Sequence, residues 1–108
     1  MATFLFLYTG VGDTMAADDA ERAASTKAWG AWFERIGDAL VDAGNPFTPA
    51  LKTISKHGEV SDASAPVTMT GYSVIKAYSH AIAAEIAKDC PVLQDGGQVL
   101  VYETFPVM

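Results

Sequence analysis

The chain has 108 residues, half of them apolar and 19% charged, with seven basic against thirteen acidic side chains and a formal net charge of −6. That size and composition describe a single globular domain over the whole chain, with a modest core, and exclude a disordered polypeptide. Scattered lysines and arginines on an acidic chain exclude a phosphate-binding surface, so nucleic acid is not an expected partner; no apolar run reaches the roughly 18 residues of a membrane helix.

The first predicted strand runs over Ala2 to Thr9, with Phe4, Phe6 and Tyr8 on one face and Leu5 and Leu7 on the other. It has no basic leader and no cleavage site, and reads as structure rather than as a signal peptide. Gly10 and Gly12 end it. Gly10-Val11-Gly12 lacks the third glycine and the parallel context of a dinucleotide site. A long helix is predicted from Asp18-Asp19, where carboxylates meet the positive end of the helix dipole. Its apolar stripe is Trp29, Phe33, Ile36 and Leu40, with Trp32 adjoining, and Gly44 before Asn45-Pro46 is placed to cap it.

A weaker strand is predicted over 47–55, with a turn at His57-Gly58 and a short return arm from Glu59-Val60 that dissolves into Ser61-Asp62-Ala63-Ser64-Ala65-Pro66. The next strand covers Met69 to Ala77. Ser79 is a candidate N-cap for a second helix carrying Ile82 and Ile86 on one side and ending near Cys90-Pro91. Gln94-Asp95-Gly96-Gly97 turns into a last strand ending Val99-Leu100-Val101-Tyr102-Glu103-Thr104-Phe105. The order strand, helix, strand, strand, helix, strand is the ferredoxin-like βαββαβ arrangement: an α+β fold with two helices on one face of a four-stranded antiparallel sheet.

Two helices cover only one face of such a sheet, yet the first and last strands are apolar on both. The uncovered face predicts a homodimer in which sheets bury each other. The single cysteine, Cys90, excludes an internal disulfide framework and fits a reducing, cytoplasmic setting.

Candidate chemistry is sparse. Asp38 and Asp42 fall at i and i+4 in the last two turns of the predicted long helix, where negative charge opposes the dipole at a cost of about 0.3–1 kcal/mol each. They are the catalytic candidates, as a general base in a pocket; the competing reading is a solvated helix face continued by Glu34. Trp29 and Trp32 are either an aromatic wall for a ligand or core packing. Gly30 and Gly37, seven residues apart on that helix, suit close approach of a strand or ligand, or simple tolerance. Tyr8, Tyr72 and Tyr102 lie in three different strands and would share one space if their faces coincide, which makes them ligand-binding candidates. Glu103 is on the alternation of Val99, Val101 and Phe105, at an edge or paired. His57 reads as a turn residue and His80 as a helix-start surface residue. With no Cys or carboxylate at ligand spacing they make no metal site, and no cofactor is implied. Cys90 reads as a small buried hydrophobe.

Trp29-Gly30-Ala31-Trp32-Phe33, Gly37-Asp38-Ala39-Leu40-Val41-Asp42-Ala43-Gly44, Thr70-Gly71-Tyr72-Ser73 and Val101-Tyr102-Glu103-Thr104-Phe105 together resemble the YCII-related family. The likeness spans nearly the whole chain and is loosest between Phe47 and Met69. The resemblance implies a dimeric α/β barrel with two sheets packed face to face. Some relatives carry a His and an Asp in the first helix region, proposed as a catalytic dyad. Asp42 is the match to the acidic member, while Trp32 and Phe33 stand where an imidazole would be expected. The DGPF tetrapeptide of neighbouring subfamilies is replaced here by Asp62-Ala63-Ser64-Ala65. Two functions follow as alternatives: a cofactor-independent enzyme acting on a small apolar or aromatic molecule, or a non-catalytic dimeric binding or accessory protein.

Overall fold

Alternating apolar side chains, together with Gly71, Ser73 and Ala77 on the buried alternation of one strand, build two long central strands. In the computed structural model, which describes residues 1–10, 18–48, 50–62 and 69–107, these are β1 (Ala2–Thr9) and β5 (Met69–Ala77). Between them come α1 (Asp19–Ile36), the short strand β2 (Leu40–Asp42) and a two-stranded ribbon of β3 (Thr53–Ile54) and β4 (Val60–Ser61); α2 (His80–Ala87) and β6 (Gln98–Glu103) follow. The main sheet is antiparallel and four-stranded in the order β2-β5-β1-β6, compatible with a ferredoxin-like α+β fold. No helix among the described residues is long and apolar enough to cross a membrane.

Register decides which side chains share a face. Phe4 lies opposite Ile75 and Phe6 opposite Ser73, while on the other side of β1 Phe6 faces Val101 and Tyr8 faces Val99. These residues form the helix-covered face and are buried or half-buried there against Trp32, Ala83 and Ala87. The opposite alternation pairs Leu5 with Val74 and Tyr102, and Leu7 with Tyr72 and Leu100. Among the described residues no helix covers this second face, where Leu5, Leu7, Tyr72, Val74 and Leu100 are half-buried. The molecule measures only 19 Å along its shortest axis, the depth of one sheet and one helical layer.

Three sequence expectations change. The long helix ends at Ile36 rather than near Gly44: Gly37 takes φ 57°, a conformation that side chains resist, and its N–H closes the helix on the Phe33 carbonyl. Leu40 therefore leaves the helical stripe and pairs with Ile75 as the edge strand β2. The strand expected over 47–55 is not in the sheet. After the isolated bridge of Pro46 to Gly71 and the bond from Phe47 N to the Thr70 carbonyl (2.8 Å), the chain departs and only Thr53–Ile54 is extended, paired with Val60–Ser61. In α2 the stripe against the sheet is Ala83 and Ala87, with Ile86 beside it and Ile82 turned outward. Small side chains there let the helix approach the sheet closely.

Other local expectations hold. Asp18 caps α1 by accepting from Glu21 N (2.7 Å), and Ser79 caps α2 by accepting from Ile82 N (3.1 Å). The His57-Gly58 turn is closed by Gly58 N to the Ser55 carbonyl and Ser55 N to the Glu59 carbonyl. Gly12, and Ala63 to Pro66 with all of the tetrapeptide position but Asp62, lie outside the described residues.

Candidate functional site

The covered face holds an aromatic cluster. Trp32 is 1% exposed and lies 6.3 Å from Phe6, 5.8 Å from Trp29 and 5.3 Å from Phe33, ring centre to ring centre. Trp29, half-buried, meets Tyr8 edge-on at 4.8 Å. Trp32 and Tyr8 are thus core residues, with Trp29 at the core's margin. The Trp32 indole N–H is buried with no hydrogen-bond partner among the described residues. Tyr8 is satisfied: its hydroxyl donates to Ser73 Oγ (2.7 Å), which donates in turn to the Ala43 carbonyl (2.6 Å).

Burial raises the Tyr8 phenol well above the ordinary tyrosine range, against a smaller lowering by its Ser73 bond. Cys90, 1% exposed, is likewise pushed up by burial to about 11, despite a backbone bond at Val92 that favours the thiolate. Both groups are held protonated, and neither is a nucleophile at neutral pH.

The open face carries the other two tyrosines. Tyr72 and Tyr102 share it with Leu5, Leu7, Val74 and Leu100, and Lys76 lies half-buried at its far end opposite Thr3. Phe47 stacks over Tyr72 at 5.8 Å with the rings 20° from parallel. Tyr102 is 54% exposed. The three tyrosines therefore do not converge: Tyr8 points to the helices, while Tyr72 and Tyr102 stand about 12 Å apart on opposite sides of β1, two strand spacings across and two residues along. Register separates them, because Tyr72 falls opposite Leu7 and not opposite Tyr8.

The acidic candidates are not stacked on a helix. Asp38 lies in the 3-10 turn Gly37–Ala39 and Asp42 ends β2; both are exposed. The Asp42 carboxylate accepts from Gly44 N (2.9 Å), closing the turn toward Asn45. That turn is tight because Gly44, at φ 71°, packs so closely that a Cβ would overlap the Tyr72 carbonyl. Asp38 borders a shallow, open depression of about 380 Å³ with Lys76, Tyr78, Ile82 and Ile86. A second, of about 520 Å³, lies between Thr3, Glu103 and Phe105. Neither is lined by Asp42, Trp29, Trp32 or any of the three candidate tyrosines.

His57 is exposed in its turn, whereas His80 does more than cover a helix start. Its Nε2 lies 2.9 Å from the Val101 carbonyl on the edge strand β6, and its ring packs 5.4 Å from Phe4. Glu103 sits exposed at the end of that same edge strand. Gly30 has open space around it among the described residues. Among the described residues no cluster of three or more His, Cys, Asp or Glu is placed to hold a metal.

Sequence reasoning missed Ser73, Phe47 and Lys76. Ser73 had a signal: a hydroxyl on the buried alternation between Gly71 and Ile75 requires a partner. Phe47 and Lys76 had none, since their positions depend on which strands become neighbours. No protein-family model matches this chain, and no curated protein matches it.

Proposed function

We propose that this chain is a homodimeric small-molecule-binding protein of the YCII-related, dimeric α/β-barrel kind, in which two sheets pack by their open faces and a small apolar or aromatic molecule binds beside them. The observation that carries this reading is the face of Leu5, Leu7, Tyr72, Val74 and Leu100, half-buried within the subunit, with Tyr102 exposed beside them and Phe47 stacked on one corner. Such a patch in water is costly, and self-association with two-fold symmetry covers it.

Binding is favoured over catalysis by the state of the candidate groups. Asp42 is engaged by the Gly44 amide and Asp38 lies in open solvent, while the buried phenol of Tyr8 and thiol of Cys90 are held protonated. The aromatic rings at the margin of the open face, Phe47, Tyr72 and Tyr102, offer stacking surfaces for a planar apolar molecule. Sedimentation at micromolar concentration should give twice the chain mass. A thermal-shift screen of aromatic and apolar metabolites should then find ligands whose effect is lost in Tyr72→Ala; at 100 times the dissociation constant a ligand adds about 2.7 kcal/mol. A soluble monomer, or a dimer that no such compound stabilises, would refute the corresponding half of the proposal.

A further inference from the structure

Strand β6 forms one edge of the main sheet. Its phase against β1 is set by the bond from Thr104 N to the Thr3 carbonyl (2.9 Å), with Tyr102 opposite Leu5 and Leu100 opposite Leu7. In an antiparallel ladder, successive residues alternate between bonding the neighbouring strand and pointing away from it. Thr104, Tyr102, Leu100 and Gln98 turn their backbone groups toward β1, so those of Val99, Val101 and Glu103 point outward. Such a row is a template for a strand of another chain.

Proline, lysine and a bulge, which commonly close an edge, are all absent from β6. From Val99 to Tyr102 it is uncharged and favours the extended state. The opposite edge differs, because β2 is only three residues long. Among the described residues one side chain bonds the outward row of β6. His80, the first residue of α2, sets its Nε2 2.9 Å from the Val101 carbonyl with its ring against Phe4.

We propose that His80 is a plug that keeps the β6 edge from pairing with the same edge of a second copy. Its position is the first reason. The outward carbonyls belong to Val99, Val101 and Glu103, and His80 takes the middle one. No two successive carbonyls stay free, so a pairing strand that uses two of them must first expel the ring. Distance is the second reason. An incoming amide nitrogen would stand about 2.9 Å from that oxygen, which is the place Nε2 occupies. A carbonyl only accepts, so Nε2 carries the hydrogen. Once the plug is removed, a second copy fits the edge. Like edges meet antiparallel about a two-fold axis, and the register centred on Val101 sets the exposed Tyr102 beside Leu100 of the second copy.

The test compares His80→Ala, which removes the plug, with His80→Gln, whose side-chain amide donates from a similar reach. In sedimentation at micromolar concentration, His80→Ala should give a mass at least about twice that of the parent chain, and His80→Gln the parent mass. Association of both variants, or of neither, would overturn the plug. Hydrogen exchange locates the contact. In associated His80→Ala the amides of Val99, Val101 and Glu103 should be slowed at least about tenfold, while those of Leu100 and Tyr102, already bonded to β1, keep their rates. Association without that alternating pattern would overturn the edge as its site.

Two measurements on the parent chain need no variant. Its outward amides should exchange faster than those of Leu100 and Tyr102, and nitrogen NMR at about pH 8, where free imidazole is neutral, should find the ring hydrogen on Nε2. Outward amides as protected as the inward ones, or a hydrogen on Nδ1 alone, would overturn the proposal even if His80→Ala failed to fold. Every mass is compared with the parent's own, so the outcome does not depend on whether the open sheet faces also pair.

Discussion

The Tyr8 hydroxyl donates a 2.7 Å hydrogen bond to Ser73 Oγ across the two central strands, and the Ser73 hydroxyl in turn donates to the Ala43 carbonyl beyond β2. One buried chain of hydroxyls thus ties β1, β5 and the segment after the short edge strand together. In Ser73→Ala the Tyr8 phenol is left buried without a partner, which should cost about 1–3 kcal/mol in urea unfolding. Tyr8→Phe leaves Ser73 bonded to Ala43 and should cost less, about 0.5–1.5 kcal/mol. Equal losses from the two variants would mean that the relay does not operate as a unit.

Alkaline pH should weaken the fold through Cys90. Its folded-state value, about 11, lies above the ordinary value of 9.0, so the unfolded chain gives up the proton first. The stabilisation is fully present below pH 9.0 and is lost as pH rises toward about 11. Tyr8, also raised, extends the same trend to higher pH. Chemical unfolding at a series of pH values should show this fall, and Cys90→Ala should flatten its lower part.

Trp32 fills the centre of the aromatic cluster, and Trp32→Ala should cost about 3–5 kcal/mol. Trp32→Phe should cost much less, within about 1.5 kcal/mol, because it also removes the unpartnered indole N–H. A Phe variant as damaged as the Ala variant would show that the nitrogen has a partner after all.

The two glycines with positive φ on either side of β2 should respond differently. At Gly44 a Cβ would overlap the Tyr72 carbonyl and the backbone is at φ 71°, so Gly44→Ala should cost more than about 2 kcal/mol. At Gly37 the space is open, and only the backbone strain of φ 57° with ψ −124° remains, about 1–3 kcal/mol. Thermal melts of the two variants give the comparison directly.

The two faces of β1 offer the plainest contrast. Phe6→Ala opens a hole under Trp32 and should lower stability by about 3–5 kcal/mol at any protein concentration. Leu7→Lys lies on the open face and should leave the subunit folded while dissociating the proposed dimer, seen as a halved mass in sedimentation.

Period-two alternation in Ala2–Thr9 and Met69–Ala77, the helix start at Asp18-Asp19, the Ser79 cap and the His57-Gly58 turn were all legible as sequence, because each depends on neighbours within a few residues. From them the α+β class and the element order follow, and so does the two-sided apolar character of β1. What the chain does once outside that range was decided by tertiary structure. By sequence Gly37 reads as a glycine within the helix, closely approached or simply tolerated; in the fold it stops the helix, and pairing of Leu40 with Ile75 moves Asp38 and Asp42 off any helix. Which tyrosines share a face depends on strand register, a choice between strands some sixty residues apart that places Tyr72 opposite Leu7 and turns Tyr8 to the helices. His80 bonding Val101 is of the same kind. Local spacing carries propensity and periodicity, whereas register and partner choice are settled by packing between distant segments, so the sequence alone determined the elements and only the folded sheet determined which of their side chains meet.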